Sequence, residues 1–298
     1  MNLKSNQNKM KWLVYGSKGW IGGMAKQYLE NLGETVVCAK YRADDEKTEE
    51  EIKHSGVDRI ICFIGRTHGQ GYSTIDYLEQ KGKLVENVRD NLYSPVVLAI
   101  LGKKYGIHVT YLGTGCIFNT NEKQVFTEQD LPNFFGSGYS TVKGFTDRLM
   151  HFYDDSVLNA RIRMPIVGYH NPRNFITKIT KYAKVCSIQN SMSVLEDMIP
   201  VLIDLAKQRK TGTINLTNPG TIEHNEILQM YKEYVDPNFQ WTNFTIKEQS
   251  EILLSERSNN ELDSTLLKTL VPVKDIKTSV KELLQNWDQS YLKLNSGE

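Results

Sequence analysis

The chain has 298 residues, with 36 Lys plus Arg against 35 Asp plus Glu and a formal net charge of +1. That length suits one large α/β domain with a smaller lobe, and the balanced charge gives no footprint for a nucleic-acid partner. No apolar run is long enough to cross a membrane as a helix, and Cys38, Cys62, Cys116 and Cys186 lack the Cys-x-x-Cys spacing that would mark a disulfide framework or a structural zinc site.

The polar start "MNLKSNQNKMK" has no apolar core of a secretory signal, so free thiols in a reducing cytoplasm are the expectation. "KWLVYG" (11–16) reads as a strand and "MAKQYLENLG" (24–33) as a helix closed by Gly33. Between them Gly16, Gly19 and Gly22 form G-x-x-G-x-x-G, with Trp20 and Ile21 in the same turn. A glycine turn between strand and helix lets backbone approach a pyrophosphate, and the helix N-terminus adds partial positive charge. The second strand, "TVVCAK" (35–40), ends at Lys40, Tyr41 and Arg42, where NAD sites usually carry an acid. A cation there suits a 2′-phosphate, so NADP(H) is the expected cofactor and NAD(H) the alternative; Asp44 and Asp45 lie just beyond.

"DDEKTEEEIKH" reads as a solvated helix start, and "DRIICFIG" (58–65) as a third strand, with Cys62 in its core and Gly65 at its cofactor end. Residues 82–106 predict a long helix interrupted near Ser94–Pro95, followed by the strand "HVTYLGTG" (108–115). This alternation predicts a Rossmann-type, doubly wound parallel sheet with a smaller C-terminal substrate lobe.

Ligands in such sheets bind beyond the strand carboxyl ends, where Thr114 and Cys116 lie. "GSGYSTVKGFTDRLM" (136–150) places Tyr139 and Lys143 four apart, on one helix face. An ammonium near a phenol favours the phenolate, so Tyr139 can exchange a proton with a forming alkoxide while Thr114 donates to the same oxygen. Cys116 read alone is a core filler, a metal ligand or a reagent.

"SVLNARIRMPI" (156–166) reads as a strand leaving the cofactor domain, and "NPRNFITKITKYAK" (171–184) as a helix after exposed donors Asn171, Arg173 and Asn174. A helix over 193–210, the strand "TINLTNPG" and the amphipathic helix "HNEILQMYKEYV" follow. "FQWTNF" suggests lobe core, "SERSNNELDSTLLKTL" holds Arg257, which can clasp a phosphate, and "LNSGE" reads as a frayed end. The predicted division is 10–165 plus about 188–220 for the cofactor domain, and 166–187 plus 221–298 for the substrate lobe.

The segments "YGSKGWIGG", "TGCIF", "YSTVK", "RIRMPI", "NPRNFITKI", "NSMSVLEDMIP", "NLTNPG" and "RSNNELD" resemble the extended short-chain dehydrogenase/reductases of nucleotide sugars. Within these the chain most resembles the bifunctional UDP-4-keto-6-deoxyglucose 3,5-epimerase/4-reductases. The resemblance implies an NADPH-dependent enzyme that converts UDP-4-keto-6-deoxyglucose to UDP-L-rhamnose, is supplied by a separate 4,6-dehydratase, and works as a cytoplasmic homodimer without metal. It implies Thr114, Tyr139 and Lys143 as the reductase triad, Asn91 beside the cofactor, and Cys116 with Lys184 as the epimerase acid/base pair. Lys178 and Lys181 are rivals to Lys184. Asn174, Arg257 and Asn260 are the implied substrate contacts. The rival functions are a reductase without epimerase activity and a non-enzymatic NADP-binding subunit.

Overall fold

A computed structural model of the chain describes residues 9–120 and 123–288. The first eight residues of the polar start, and the "LNSGE" reading, lie outside the described residues.

Six parallel strands form the main sheet, in the order β2–β1–β3–β4–β6–β9. They are β1 (Lys11–Tyr15), β2 (Thr35–Cys38), β3 (Arg59–Cys62), β4 (His108–Thr114), β6 (Val157–Ile162) and β9 (Gly212–Asn215). The apolar runs of the inner strands are buried because helices cover both faces, while the edge strand β2 is only half-buried. On one side α1 (Trp20–Asn31) and α7 (Leu195–Lys207) pack over Trp12, Val14, Ile61, Leu158 and Ile214. On the other, α2 (Thr48–Ser55) and α4 (Ser94–Tyr105) pack over Leu13, Tyr15, Ile60 and Val109. The strand order reverses between β1 and β3, and that crevice lies beside the glycine turn.

A further apolar cluster gathers Ile166, Ile176, Val185, Ile222, Leu228, Val280 and Leu284. It joins the short strands β7 (Pro165–Ile166) and β8 (Ser193–Val194) to α6 (Phe175–Ile179), α8 (His224–Tyr234) and α11 (Ile276–Gln285). Phe239 and Trp241 stack on its rim at 5.9 Å. Strand β5 (Val125–Phe126) pairs with β10 (Glu261–Leu262). The remaining helices are α3 (Leu84–Val88), α5 (Gly138–Met150), α9 (Ile246–Ser250) and α10 (Thr265–Leu270).

Four segments differ from the sequence expectation. The helix does not break at Ser94–Pro95: α3 runs through a π-helical turn (Arg89–Tyr93) directly into α4. Pro95 has no N–H for the Asn91 carbonyl, and the Thr146 hydroxyl donates to that carbonyl instead at 2.6 Å. The strand 156–166 splits at Met164, which adopts a positive φ of 38°. The helix expected over 171–184 is only α6, because Val185 is drawn into backbone pairing with Thr242 and Phe244. Helix α11, N-capped by the Asp275 side chain, was not foreseen.

Candidate active site

The glycine turn fixes the floor of the site. Gly16 has φ 77°, and a Cβ on Gly22 would sit 2.2 Å from the Gly16 carbonyl oxygen, so the turn closes only with glycine there. The turn opens onto a cleft lined by Ser17, Lys18, Lys40, Tyr41, Arg42 and Gly65. Arg42 is held over it by Asp44 (2.9 Å) and by the buried Asp90 (3.1 Å). Glycine backbone at one end and a mounted guanidinium at the other fit a dinucleotide with a 2′-phosphate.

The cleft continues into a cavity of about 370 Å³, within the range of small-molecule sites. Trp20, Ile21, Gly65 and Asn91 line it beside Thr114, Cys116, Tyr139 and Lys143. Asn91 stands in the π-helical turn. Its amide donates to the Arg66 carbonyl and its Oδ1 accepts from the Arg66 N–H, both at 2.9 Å, which fixes the loop after β3.

Thr114 ends β4, with its hydroxyl near the Tyr139 phenol and accepting from the Cys116 N–H at 3.1 Å. Tyr139 and Lys143 share a face of α5, which is capped by the Ser137 side chain. The expected phenol–ammonium contact is absent among the described residues: Lys143 reaches past Tyr139 and donates to the Tyr111 hydroxyl at 2.5 Å. Burial therefore dominates both groups. It raises Tyr139, reinforced by the nearby Cys116, and lowers Lys143 to about 8.

Gly115 separates Thr114 from Cys116 because a Cβ there would lie 2.6 Å from Leu262 Cδ1 and 2.9 Å from Arg163 Cγ. The Gly115 carbonyl accepts from Arg163 Nη1 and Asn260 Nδ2, each at 3.0 Å. Asn260 also donates to the Phe118 carbonyl at 3.2 Å. The buried Arg163 and Asn260 thus fix the strand exit that presents Cys116.

Lys178, Arg173 and Arg257 supply the positive wall of the same cavity. The Lys178 ammonium makes no hydrogen bond or ion pair among the described residues. Burial lowers its affinity for a proton, and Arg173 and Arg257 lower it further. Arg257 is tied to Asp76 at 2.7 Å, and Asp76 also accepts from Thr74 and Ser255.

Three expected residues are not on the wall. Lys184 is exposed, lies beyond the end of α6, and exerts its charge on Glu248 rather than in the cavity. Lys178, on α6 itself, takes the cavity position. Asn174 is fully buried as the N-cap of α6 and donates to the Val167 and Tyr169 carbonyls at 2.9 Å, so backbone rather than ligand occupies it. Asn260 acts from behind, through Gly115. Conversely, Asp76 and Tyr111 went unread. The Thr-x-Asp at 74–76 carries a weak local signal, but nothing in "HVTY" marks a lysine partner.

No family model matches the chain. It is similar to the crystal structure of the L780 UDP-rhamnose synthase from Acanthamoeba polyphaga mimivirus, with 56% identity and a TM-score of 0.91 over 93% of this chain and 99% of that one. It is 39% identical over 279 residues to the bifunctional dTDP-4-dehydrorhamnose 3,5-epimerase/dTDP-4-dehydrorhamnose reductase of Arabidopsis thaliana, covering 90% of each. It is 38% identical over 271 residues to the trifunctional UDP-glucose 4,6-dehydratase/UDP-4-keto-6-deoxy-D-glucose 3,5-epimerase/UDP-4-keto-L-rhamnose-reductase RHM1 of the same plant, covering 40% of that longer protein. The dTDP-4-dehydrorhamnose reductase structure from Yersinia enterocolitica shares the fold at a TM-score of 0.75 and 18% identity.

Proposed function

The chain belongs to the nucleotide-sugar 3,5-epimerase/4-reductases, and from that premise we propose that it converts UDP-4-keto-6-deoxy-D-glucose to UDP-L-rhamnose. The observation that carries this is one cavity lined by Thr114, Cys116, Tyr139, Lys143 and Lys178 beside a glycine turn. NADP(H), with NAD(H) as the alternative, is held by Gly16, Gly19, Gly22 and Arg42, and supplies the hydride for C4 when bound.

A C4 ketone acidifies the protons on C3 and C5. Lys178, an amine whose protonated form is disfavoured by burial and two guanidinium groups, takes a proton. Negative charge then gathers on the C4 oxygen, where Thr114 and Tyr139 donate hydrogen bonds. The Cys116 thiol returns a proton from the opposite face, inverting the carbon. In the reduction Tyr139 gives its proton to the C4 oxygen, and Lys143 holds positive charge behind it. Arg257, set by Asp76, receives the diphosphate.

The enzyme is further proposed to use ketosugar from a separate 4,6-dehydratase, to be cytoplasmic, and to divide into residues 10–165 plus about 188–220 and residues 166–187 plus 221–298. Homodimer formation is supported by Leu84, Val85, Tyr93, Ile100 and Phe145, exposed along α3, α4, α5 and the π-helical turn; light scattering tests it. For the activity, purified protein is mixed with the ketosugar and NADPH and the product sugar identified by NMR. Unchanged ketosugar refutes the proposal. Exchange in heavy water without NADPH separates the two half-reactions: a reductase lacking epimerase activity leaves the C3 and C5 protons in place. Cys116→Ala should abolish inversion at C3 and C5 while Lys178 can still exchange protons on its own face, and supplying the epimerised ketosugar should restore reduction.

A further inference from the structure

Lys143 is an ammonium at 5% exposure with no ion pair among the described residues, and its one hydrogen-bond partner there is the Tyr111 hydroxyl at 2.5 Å. Tyr111 is 1% exposed, in the middle of the sheet, with Cys62 beside it on β3 and Asn159 on β6. Lys143 Nζ also lies 4.7 Å from the centre of its ring. A buried cation with no acceptor and no counter-ion is costly, and it sheds either its charge or its position. Here one oxygen and one aromatic face carry it.

We propose that Tyr111 is a positioning residue of the reductase, whose hydroxyl fixes the Lys143 ammonium beneath the cofactor cleft and keeps it charged there. The inference rests on the reading of Lys143 as part of the reductase triad. The other groups whose charge reaches this ammonium are Cys62 of β3, Cys116 after β4 and Asp147 of α5, and Tyr139 of α5 acts on the Tyr111 hydroxyl. From the neighbouring π-helical turn the uncharged Asn91 amide comes near, its Oδ1 and the Lys143 Nζ lying 3.4 and 4.0 Å from a Cβ placed on Gly65. Among the described residues none of these accepts a second hydrogen bond from Lys143.

The test titrates Lys143 by carbon-13 NMR of labelled lysine side chains, assigned with Lys143→Arg, in the full chain and in Tyr111→Phe. The phenol oxygen stabilises the charged form, so its removal favours the free amine. The midpoint should fall below its wild-type position near 8 by about one to two pH units, the scale of one hydrogen bond to a charged group. The alkaline limb of kcat/KM for ketosugar reduction should move down with it. An unchanged midpoint overturns the inference, whatever the activity. If Tyr111→Phe does not fold, 3-fluorotyrosine at position 111 keeps the shape and weakens the acceptor, and a smaller downward shift is expected. No shift there refutes the inference equally. A wild-type chain that reduces no ketosugar sinks the functional reading by itself, since the titration is scored separately.

Discussion

Replacing Lys178 and Lys184 separately by Met decides which lysine moves protons at C3 and C5. The two are six residues apart, yet one lines the cavity beside Cys116 and the other is exposed beyond α6. Removing a proton-transfer group typically slows a step 10²–10⁴-fold, which is about 2.7–5.4 kcal/mol of barrier. A surface change is worth within about 0.5 kcal/mol, or a factor near two. Lys178→Met should therefore slow deuterium uptake by at least about 100-fold, while Lys184→Met leaves it near wild type. The assay incubates each variant with UDP-4-keto-6-deoxyglucose in heavy water without NADPH, and follows the C3 and C5 signals by proton NMR.

Lys178→Arg keeps the charge but cannot release its proton, so it should fail like Lys178→Met if the amine is the base, and work if Lys178 only anchors substrate. The pH dependence follows from the same geometry. Burial and the two guanidinium groups lower Lys178, so its free amine forms below the usual lysine range, and exchange should rise with pH and level off early. Arg257→Met removes one of the repelling charges, raises the proton affinity of Lys178, and should move that limb to higher pH. Wild-type exchange at both carbons in Lys178→Met would refute the reasoning.

Arg42→Ala should raise KM for NADPH more than for NADH, because Asp44 and Asp90 aim that guanidinium at the cleft; equal effects in steady-state kinetics would remove it from the 2′-phosphate site. Asn174→Ala should lower Tm by about 3 °C, from a lost cap worth about 2 kcal/mol, while the KM for ketosugar stays unchanged at a temperature where the variant is folded. Asp147→Asn leaves the fully buried Arg161 without its counter-ion at 2.6 Å, and should cost about 3–5 kcal/mol in urea unfolding. Stability gained on Lys178→Met should be larger at neutral pH than in strong alkali: the folded proton affinity of this lysine is depressed, so its penalty is full below the folded midpoint and fades as pH rises through it.

Much of the cofactor half was legible because its signals are local. Glycines at 16, 19 and 22 follow an apolar strand and open a helix, and the structure builds that turn on their missing side chains. Tyr139 and Lys143 fall on one face because a helix repeats every 3.6 residues, and the Ser137 cap marks where that helix begins. The long helix was misread at Pro95 for a non-local reason. Proline removes one donor, but Thr146, from a helix more than fifty residues away, satisfies the abandoned carbonyl.

The same limit explains the lysine. Counting along "FITKITKYAK" cannot rank Lys178, Lys181 and Lys184, since a regular helix would carry Lys178 and Lys181 along one side. What ranks them is where α6 stops, and that is set by backbone pairing of Val185 with Thr242 and Phe244, about sixty residues downstream. Asn174 follows the same logic in reverse. A polar residue at the start of a helix can meet a ligand or cap the helix, and here its amide is used up by Val167, Tyr169 and Ile176 before any ligand could reach it. Residue type therefore named the chemistry available to the cavity, while the tertiary pairing of a distant segment chose which lysine lines it.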